Sequence, residues 1–214
     1  MQNTPPPPRP SFSMLDRFAL ALLRAPMTAT AQVLVRAGVG ANTVTLVAFA
    51  LGMLAAILIA GHAYLAGATA LITSRICDGL DGAVARQTQP TDAGGFLDIA
   101  LDFLFYASIP LAFALADPAR NALAGALLLA AFIGTGTSFL AFAALAAKRN
   151  LCNLAYPDKS FYFLGGLTEA TETIAFFTAM CLWPQHFAAL ATVFAGLCVL
   201  TTATRLWWGW KAFS

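Results

Sequence analysis

Charge is scarce in this sequence. Asp, Glu, Lys and Arg make up 10% of its 214 residues, where soluble domains carry about a quarter. With 59% hydrophobic residues and a mean hydropathy of +0.74, that shortage excludes an ordinary soluble domain and points to an integral membrane protein. The net charge is only +2 and there is no Lys/Arg run, so no nucleic-acid partner is expected. The four cysteines, Cys77, Cys152, Cys181 and Cys198, form no CxxC and no Cys/His metal spacing. They read as unpaired thiols in a bundle. The two histidines, His62 and His186, stand alone near helix ends. No charge-free apolar run precedes the first span, so no cleavable signal peptide is expected. No repeat of about 20 to 50 residues, direct or inverted, is visible.

What is abundant is apolar sequence in runs long enough to cross a bilayer, which takes about 20 residues. Six such runs cover about 43–61, 64–86, 95–116, 121–147, 161–183 and 187–208. The fold class expected is therefore all-α integral membrane, with six transmembrane helices. Before them lie a disordered Pro-rich tail over 1–11 and an amphipathic juxtamembrane segment over 12–42. The latter starts with a surface helix over 12–24 that Pro26 should end. Residues 43–208 form the six-helix domain and 209–214 a cytoplasmic C-terminal tail; "RLWWGW" at 205–210 reads as an interfacial anchor. Gly134-Thr135-Gly136-Thr137, midway along the fourth run, marks either a bend or a face where another helix comes close.

The basic residues set the orientation. Arg9, Arg17, Arg24, Arg36, Arg86, Lys148, Arg149, Lys159, Arg205 and Lys211 all fall on one side of the six runs, and Arg120 falls on the other. Six spans with this asymmetry place both termini in the cytoplasm.

The few charges gather in one place: "RICDGLDGAVARQTQPTDAGGFLDIALD", residues 75–102. A carboxylate in hydrocarbon costs a few kcal/mol, so it faces the bundle interior and needs a partner. At about 100° per residue, with Asp78 as origin, Asp81 falls near −60°, Ala85 near −20°, Gly82 near +40°, Arg75 near +60° and Arg86 near +80°. They share one helix face. Asp98 and Asp102 are one turn apart on the next span. A short loop brings the two spans together, so four carboxylates meet near the cytoplasmic helix ends. Four acids at that density call for cations, and an all-oxygen set suits Mg²⁺ or Mn²⁺. Two such ions could polarise a phosphoryl group and activate a hydroxyl. Gly82 and Ala85 leave the helix face bare for a ligand, and Arg86 at the membrane boundary suits a phosphate. The plainer alternative is a structural network that pairs Arg75 with Asp78 or Asp81.

These residues resemble the signature of the CDP-alcohol phosphatidyltransferases, D-x2-D-G-x2-A-R-x8-G-x3-D-x3-D. Asp78, Asp81, Gly82, Ala85, Arg86, Gly94, Asp98 and Asp102 fill the named positions. The spacing departs once: seven residues, not eight, separate Arg86 from Gly94, unless Gly95 takes the glycine position and shortens the next interval. The likeness covers roughly residues 12–212. "DAGGFLDIALDFLFY", "AFIGTGTSFLAFAALAAK" and "KSFYFLGGLTEATETI" look like a bacterial inner-membrane subgroup whose acceptor alcohol the pattern does not name. The resemblance implies six helices around a polar cavity open to the cytoplasm, a homodimer, and location in the bacterial inner membrane. It implies transfer of a phosphatidyl or other phosphoalcohol group from a CDP-linked lipid donor to a small alcohol or phosphorylated alcohol, with release of CMP, in phospholipid biosynthesis. Carried over, Asp78, Asp81 and Asp98 ligate two metal ions, and Asp102 completes the second site and is the catalytic base. Asp78, Gly82, Ala85 and Arg86 contact the CDP moiety.

Glu169 and Glu172 lie inside the fifth run. They either line the acceptor pocket or form a buried polar link to another helix, through Arg75 or Arg205. Arg205 and Lys159 stand where an acceptor phosphate could bind, or act only as positive-inside residues. A divalent-cation transporter would also use intramembrane acids, but would want them near mid-membrane with a route to both sides. A non-catalytic lipid-binding relative is the third reading, and retention of all four acids speaks against it.

Overall fold

The computed structural model describes residues 26–149, 168 and 170–214. The Pro-rich tail, the expected surface helix over 12–24, Cys152, Lys159, Glu169 and the start of the fifth run fall outside these residues. Within them the chain is helical throughout. Residues 26–36 form α1. There follow α2 Ala41–Ala60, α3 Tyr64–Gln87, α4 Asp92–Ala116, α5 Pro118–Lys148 and α6 Ala170–Leu182. A single 3₁₀ turn, Pro184–His186, leads into α7 Phe187–Phe213.

Among the described residues, four stretches are long and apolar enough to cross a membrane: α2, α4, α5 and the run from Pro184 to Phe213. α3 spans 24 residues but carries the Arg and Asp residues of the cluster, which lower its hydropathy. Of α6, 13 residues are described. Large apolar side chains face outward along these helices, among them Leu123 at 75% exposure and Ile57 at 68%. A lipid-facing surface has this character.

The boundaries follow local chemistry. Thr91 caps α4 by accepting from the Gly94 amide at 3.1 Å, and Asp117 caps α5 by accepting from the Arg120 amide at 3.2 Å. Pro118 occupies the first turn of α5, where a missing N–H costs nothing. The turn between α2 and α3 puts His62 at φ 63°, its ring 3.0 Å from the Tyr64 hydroxyl. α7 continues beyond residue 208, where the sixth run was expected to end, to Phe213. Lys211 lies near the Trp207 and Trp208 rings, so a helical, aromatic end suits an interface better than an unstructured tail.

α2 packs on α3 and α4, α5 on α4 and α7, and α6 against α3 and α7. Phe105, Phe113, Phe177, Phe187 and Phe194 are fully buried in the centre. Glycines let these helices approach. A Cβ on Gly134 would lie 3.2 Å from Thr202 of α7, and one on Gly136 would lie 2.5 Å from the Phe103 ring of α4. The Gly-Thr-Gly-Thr run is thus a close-approach face inside one continuous helix. Pro110 sits within α4, and Gly125 of α5 lies against its carbonyl. Near this point the Asn121 amide donates to the Phe113 carbonyl at 3.0 Å.

The helix ends sort by charge. The Arg149 guanidinium donates to the Phe213 carbonyl at 2.8 Å, so α5 and α7 end on the same side. The α3–α4 turn lies on that side as well, two membrane passages earlier along the chain. Arg86, Lys148, Arg149 and Lys211 gather there, and Arg120 lies at the opposite end.

Candidate active site

The α3–α4 turn places the acids. Four residues, 88–91, separate the two helices, too few for anything but an antiparallel hairpin. The C-terminal turns of α3 therefore face the N-terminal turns of α4. Asp78, Asp81 and Asp98 converge there: one carboxylate oxygen from each lies within 4.8 Å of the others. Asp81 is the deepest, 4% exposed, and its Oδ2 is buried without a hydrogen-bond partner. An orphaned carboxylate oxygen in a buried acidic cluster is expensive unless a cation supplies the missing interaction. The donor set is all oxygen and hard, which fits Mg²⁺ or Mn²⁺.

Asp102 is not one of these three. Its Oδ1 accepts from Arg75 Nη1 at 2.5 Å, and the same nitrogen is 3.5 Å from Asp78 Oδ2. The sequence suggested Asp78 or Asp81 as the partner of Arg75; the structure pairs it with Asp78 and, more closely, with Asp102. The Arg75 side chain is 7% exposed. Its Nη2 donates to Ser74 Oγ at 3.1 Å, and Ser74 donates to the Ala48 carbonyl of α2 at 2.7 Å. The guanidinium lies over the Phe105 ring, 3.7 Å from its centroid, a favourable cation–π contact. Phe105 fits because residue 52 has no side chain: a Cβ there would lie 2.5 Å from the ring. Periodicity put Arg75 on the acidic face. Ser74, Phe105 and Gly52 gave no sequence signal, because they act across helices.

The bare face of α3 is present. A Cβ on Gly82 would meet only Arg86 Nη1, at 3.3 Å, so the exposed Arg86 guanidinium leans over the glycine beside the acidic cluster. Ala85 is half-buried. On the neighbouring face Met27 of α1 covers Gly79, and Gln87 donates to the Thr28 carbonyl at 3.1 Å. Ala31, Val44, Ala83 and Val84 form a small apolar cluster there. α1 thus packs against the outer side of this end of α3. Sequence patterning had placed a surface helix earlier, over 12–24, and had Pro26 as its end. Those residues before Pro26 lie outside the described part of the chain, and residues 26–36 are helical.

The structure also separates the two candidate motif glycines. A Cβ on Gly94 would lie 2.8 Å from Asn42 Oδ1 of α2, whereas one on Gly95 would meet nothing within 4 Å. Gly94 is the position where close approach demands glycine, which keeps the three-residue interval to Asp98.

Of the expected acceptor residues, Glu172 is half-buried in the first turn of α6. Arg205 is 9% exposed and donates to the Thr135 carbonyl of α5 at 3.1 Å. Beside it in the helix the buried Thr201 hydroxyl accepts from Thr168 at 3.0 Å. Arg205 is therefore built into the bundle interior and is no mere surface charge.

Comparison with known proteins bears on the same residues. The family model for CDP-alcohol phosphatidyltransferase matches residues 39–208, most of the chain and all of the acidic cluster. Inner membrane protein YnjF of Escherichia coli (strain K12) is 53% identical over 197 residues, 92% of this chain and 96% of that protein. The Mycobacterium tuberculosis phosphatidylinositol phosphate synthase with CDP-DAG bound superposes with a TM-score of 0.70 at 22% identity, covering 86% of this chain and 93% of that one. The same synthase in complex with manganese and citrate gives 0.68 at 21% identity, covering 86% and 88%. At that identity the synthase structures establish a shared fold. With the family match and the YnjF relationship, the conclusion is direct: this chain belongs to the CDP-alcohol phosphatidyltransferase family.

Proposed function

We propose that this protein transfers a phosphatidyl or related phosphoalcohol group from a CDP-linked lipid donor to a small alcohol or phosphorylated alcohol, releasing CMP, in phospholipid biosynthesis. The observation that carries the reading is the convergence of Asp78, Asp81 and Asp98 within 4.8 Å, beside an open helix face at Gly82 and the Arg86 guanidinium. The fold neighbour with CDP-DAG bound supports a CDP-linked lipid donor. The neighbour holding manganese supports a divalent ion at the three aspartates. A cation transporter would need no glycine-bared nucleotide face.

Asp78, Asp81 and Asp98 would hold Mg²⁺ or Mn²⁺. When bound, the ion supplies positive charge to the diphosphate and eases departure of CMP. The bare face at Gly82 and Ala85 admits the CDP moiety close to the backbone, with Asp78 beside it, and Arg86 reaches a phosphate. An acceptor oxygen attacks the β-phosphorus as the bond to the CMP oxygen breaks, and that electron pair leaves with CMP. The acceptor proton goes to a carboxylate, for which Asp102, held by Arg75, is the candidate base. Arg205, with Glu172 and Glu169, would contact the acceptor from α7 and the fifth run.

The basic helix ends support a topology of six spans around a cytoplasm-facing polar cavity, with both termini cytoplasmic. The name of the E. coli relative supports the bacterial inner membrane, and a homodimer follows from the family resemblance alone. The test is direct. Purified protein is incubated with CDP-diacylglycerol, Mn²⁺ or Mg²⁺ and a panel of alcohols, with CMP release and lipid product as readouts. One acceptor should give metal-dependent release that a chelator abolishes. Undiminished release in excess chelator would refute the metal-dependent mechanism.

A further inference from the structure

We propose that Thr45 is a positioning residue for the metal cluster: its hydroxyl holds one oxygen of Asp81, so that the other oxygen is presented to the cation. The inference rests on the metal site proposed above, at Asp78, Asp81 and Asp98, and adds to it a residue from a third helix. Its own observation is the face that α2 turns toward the α3–α4 hairpin. Asn42, Thr45, Ala48 and Gly52 follow at intervals of three and four residues, which puts them on one stripe of α2. Each meets a different part of the hairpin. Asn42 Oδ1 closes on Gly94, where a Cβ would lie 2.8 Å from it. The Ala48 carbonyl accepts from Ser74 Oγ at 2.7 Å. Gly52 leaves room for the Phe105 ring. Between them, Thr45 hydrogen-bonds the Asp81 carboxylate.

The two side chains are buried together, Thr45 at 5% exposure and Asp81 at 4%. Val44, next to Thr45, packs with Ala83 and Val84, just beyond Asp81. This turn of α2 is therefore fixed against this turn of α3. Asp81 Oδ2 has no hydrogen-bond partner, so the Thr45 contact falls on Oδ1. A carboxylate held through one oxygen does not turn freely, and its unpartnered oxygen keeps a fixed direction. The plainer role for Thr45 lies inside its own helix, where its hydroxyl reaches the Ala41 carbonyl at 3.1 Å. The hydroxyl has one hydrogen, for the carbonyl or for the carboxylate. At 3.1 Å the carbonyl contact is long for an O–H···O bond, and an ionised carboxylate is the stronger acceptor. The hydrogen therefore goes to Asp81 when that carboxylate is charged, as it must be to hold a cation.

The test compares Mn²⁺ affinities of detergent-purified protein, read from the free-ion electron paramagnetic resonance signal. Tm in excess chelator checks that each variant is folded. Thr45→Val keeps the branched shape and removes the hydroxyl. It should weaken Mn²⁺ binding by about 10- to 100-fold, the scale for a hydrogen bond that orients a metal ligand. Thr45→Ser keeps the hydroxyl, loses a methyl group, and should bind Mn²⁺ as wild type does. An equal loss in Thr45→Ser would trace the effect to packing and overturn the inference. In an Asp81→Asn background, Thr45→Val should cost nothing further; an additional loss there would overturn the route through Asp81. Should Thr45→Val not fold, Thr45→Ala removes the same hydroxyl with less bulk and carries the same expectation. Wild type that binds no Mn²⁺ would remove the proposed metal site and this inference with it. Normal Mn²⁺ binding by wild type and by a folded Thr45→Val protein alike would remove this inference alone.

Discussion

Replacing Asp81 tests the central claim, that its unpartnered carboxylate oxygen serves a cation. Asp81 is 4% exposed and its Oδ2 has no partner, while oxygens of Asp78 and Asp98 lie within 4.8 Å. At an effective dielectric of about 20, two ionised carboxylates roughly 4.8 Å apart repel by about 3.5 kcal/mol. Three carboxylates this close do not all stay ionised without a cation, so Asp81→Asn removes about one such repulsion. The new amide must itself find a partner, which returns about 1–3 kcal/mol of cost. The net expectation is a gain of about 1–2 kcal/mol in the metal-free state. For a chain of this size that raises Tm by roughly 2–8 °C in excess chelator, at about 2–4 °C per kcal/mol. Metal should distinguish the two proteins. At about 100 times Kd, Mn²⁺ should stabilise wild type by about 2.7 kcal/mol, or roughly 5–11 °C, and should scarcely move the variant. The assay is thermal unfolding in detergent, followed by intrinsic Trp fluorescence, with and without Mn²⁺. A variant that melts below wild type in chelator yet keeps the full Mn²⁺ shift would refute the reasoning, because Asp81 would then be a structural acid with an overlooked partner.

Gly94→Ala places a Cβ 2.8 Å from Asn42 Oδ1, whereas Gly95→Ala meets open space; the first should cost about 1–3 kcal/mol and the second little, as read by Tm. Gly52→Ala pushes into the buried Phe105 ring at 2.5 Å and should cost a similar amount, with weaker Mn²⁺-supported turnover because the ring beneath the Arg75 guanidinium shifts; unchanged Tm and turnover would sink that account. Asp102→Asn should lower CMP release by about 10²-fold or more, the scale of a general base, while calorimetry shows donor affinity largely kept. Asp78→Asn should weaken metal and donor binding together, and equal loss of donor binding in both variants would remove Asp102 as the base. A cysteine introduced at Asn3 or Ser214, in a background lacking the native cysteines, should be labelled only from the cytoplasmic side. Labelling of either in intact cells would reverse the topology.

The helices and the identity of the acids could be read in the sequence because both are local properties. Apolar runs of bilayer length specify spanning helices wherever they occur. A 3.6-residue period decides which side chains share a face, so Asp78 and Asp81 on α3, and Asp98 and Asp102 on α4, were fixed in pairs before any contact was known. The short turn after α3 then left no geometry in which the pairs could be far apart. Tertiary structure decided how the four acids divide: three form a cluster and the fourth is taken by Arg75. That division depends on Ser74 reaching the Ala48 carbonyl, on Phe105 lying under the guanidinium, and on Gly52 leaving room for it. The choice between Gly94 and Gly95 likewise turned on Asn42, more than fifty positions earlier in the chain. Periodicity along one helix carries no record of what a neighbouring helix presents to it. Partners, close approaches and the distribution of charge among them are set only when the helices pack.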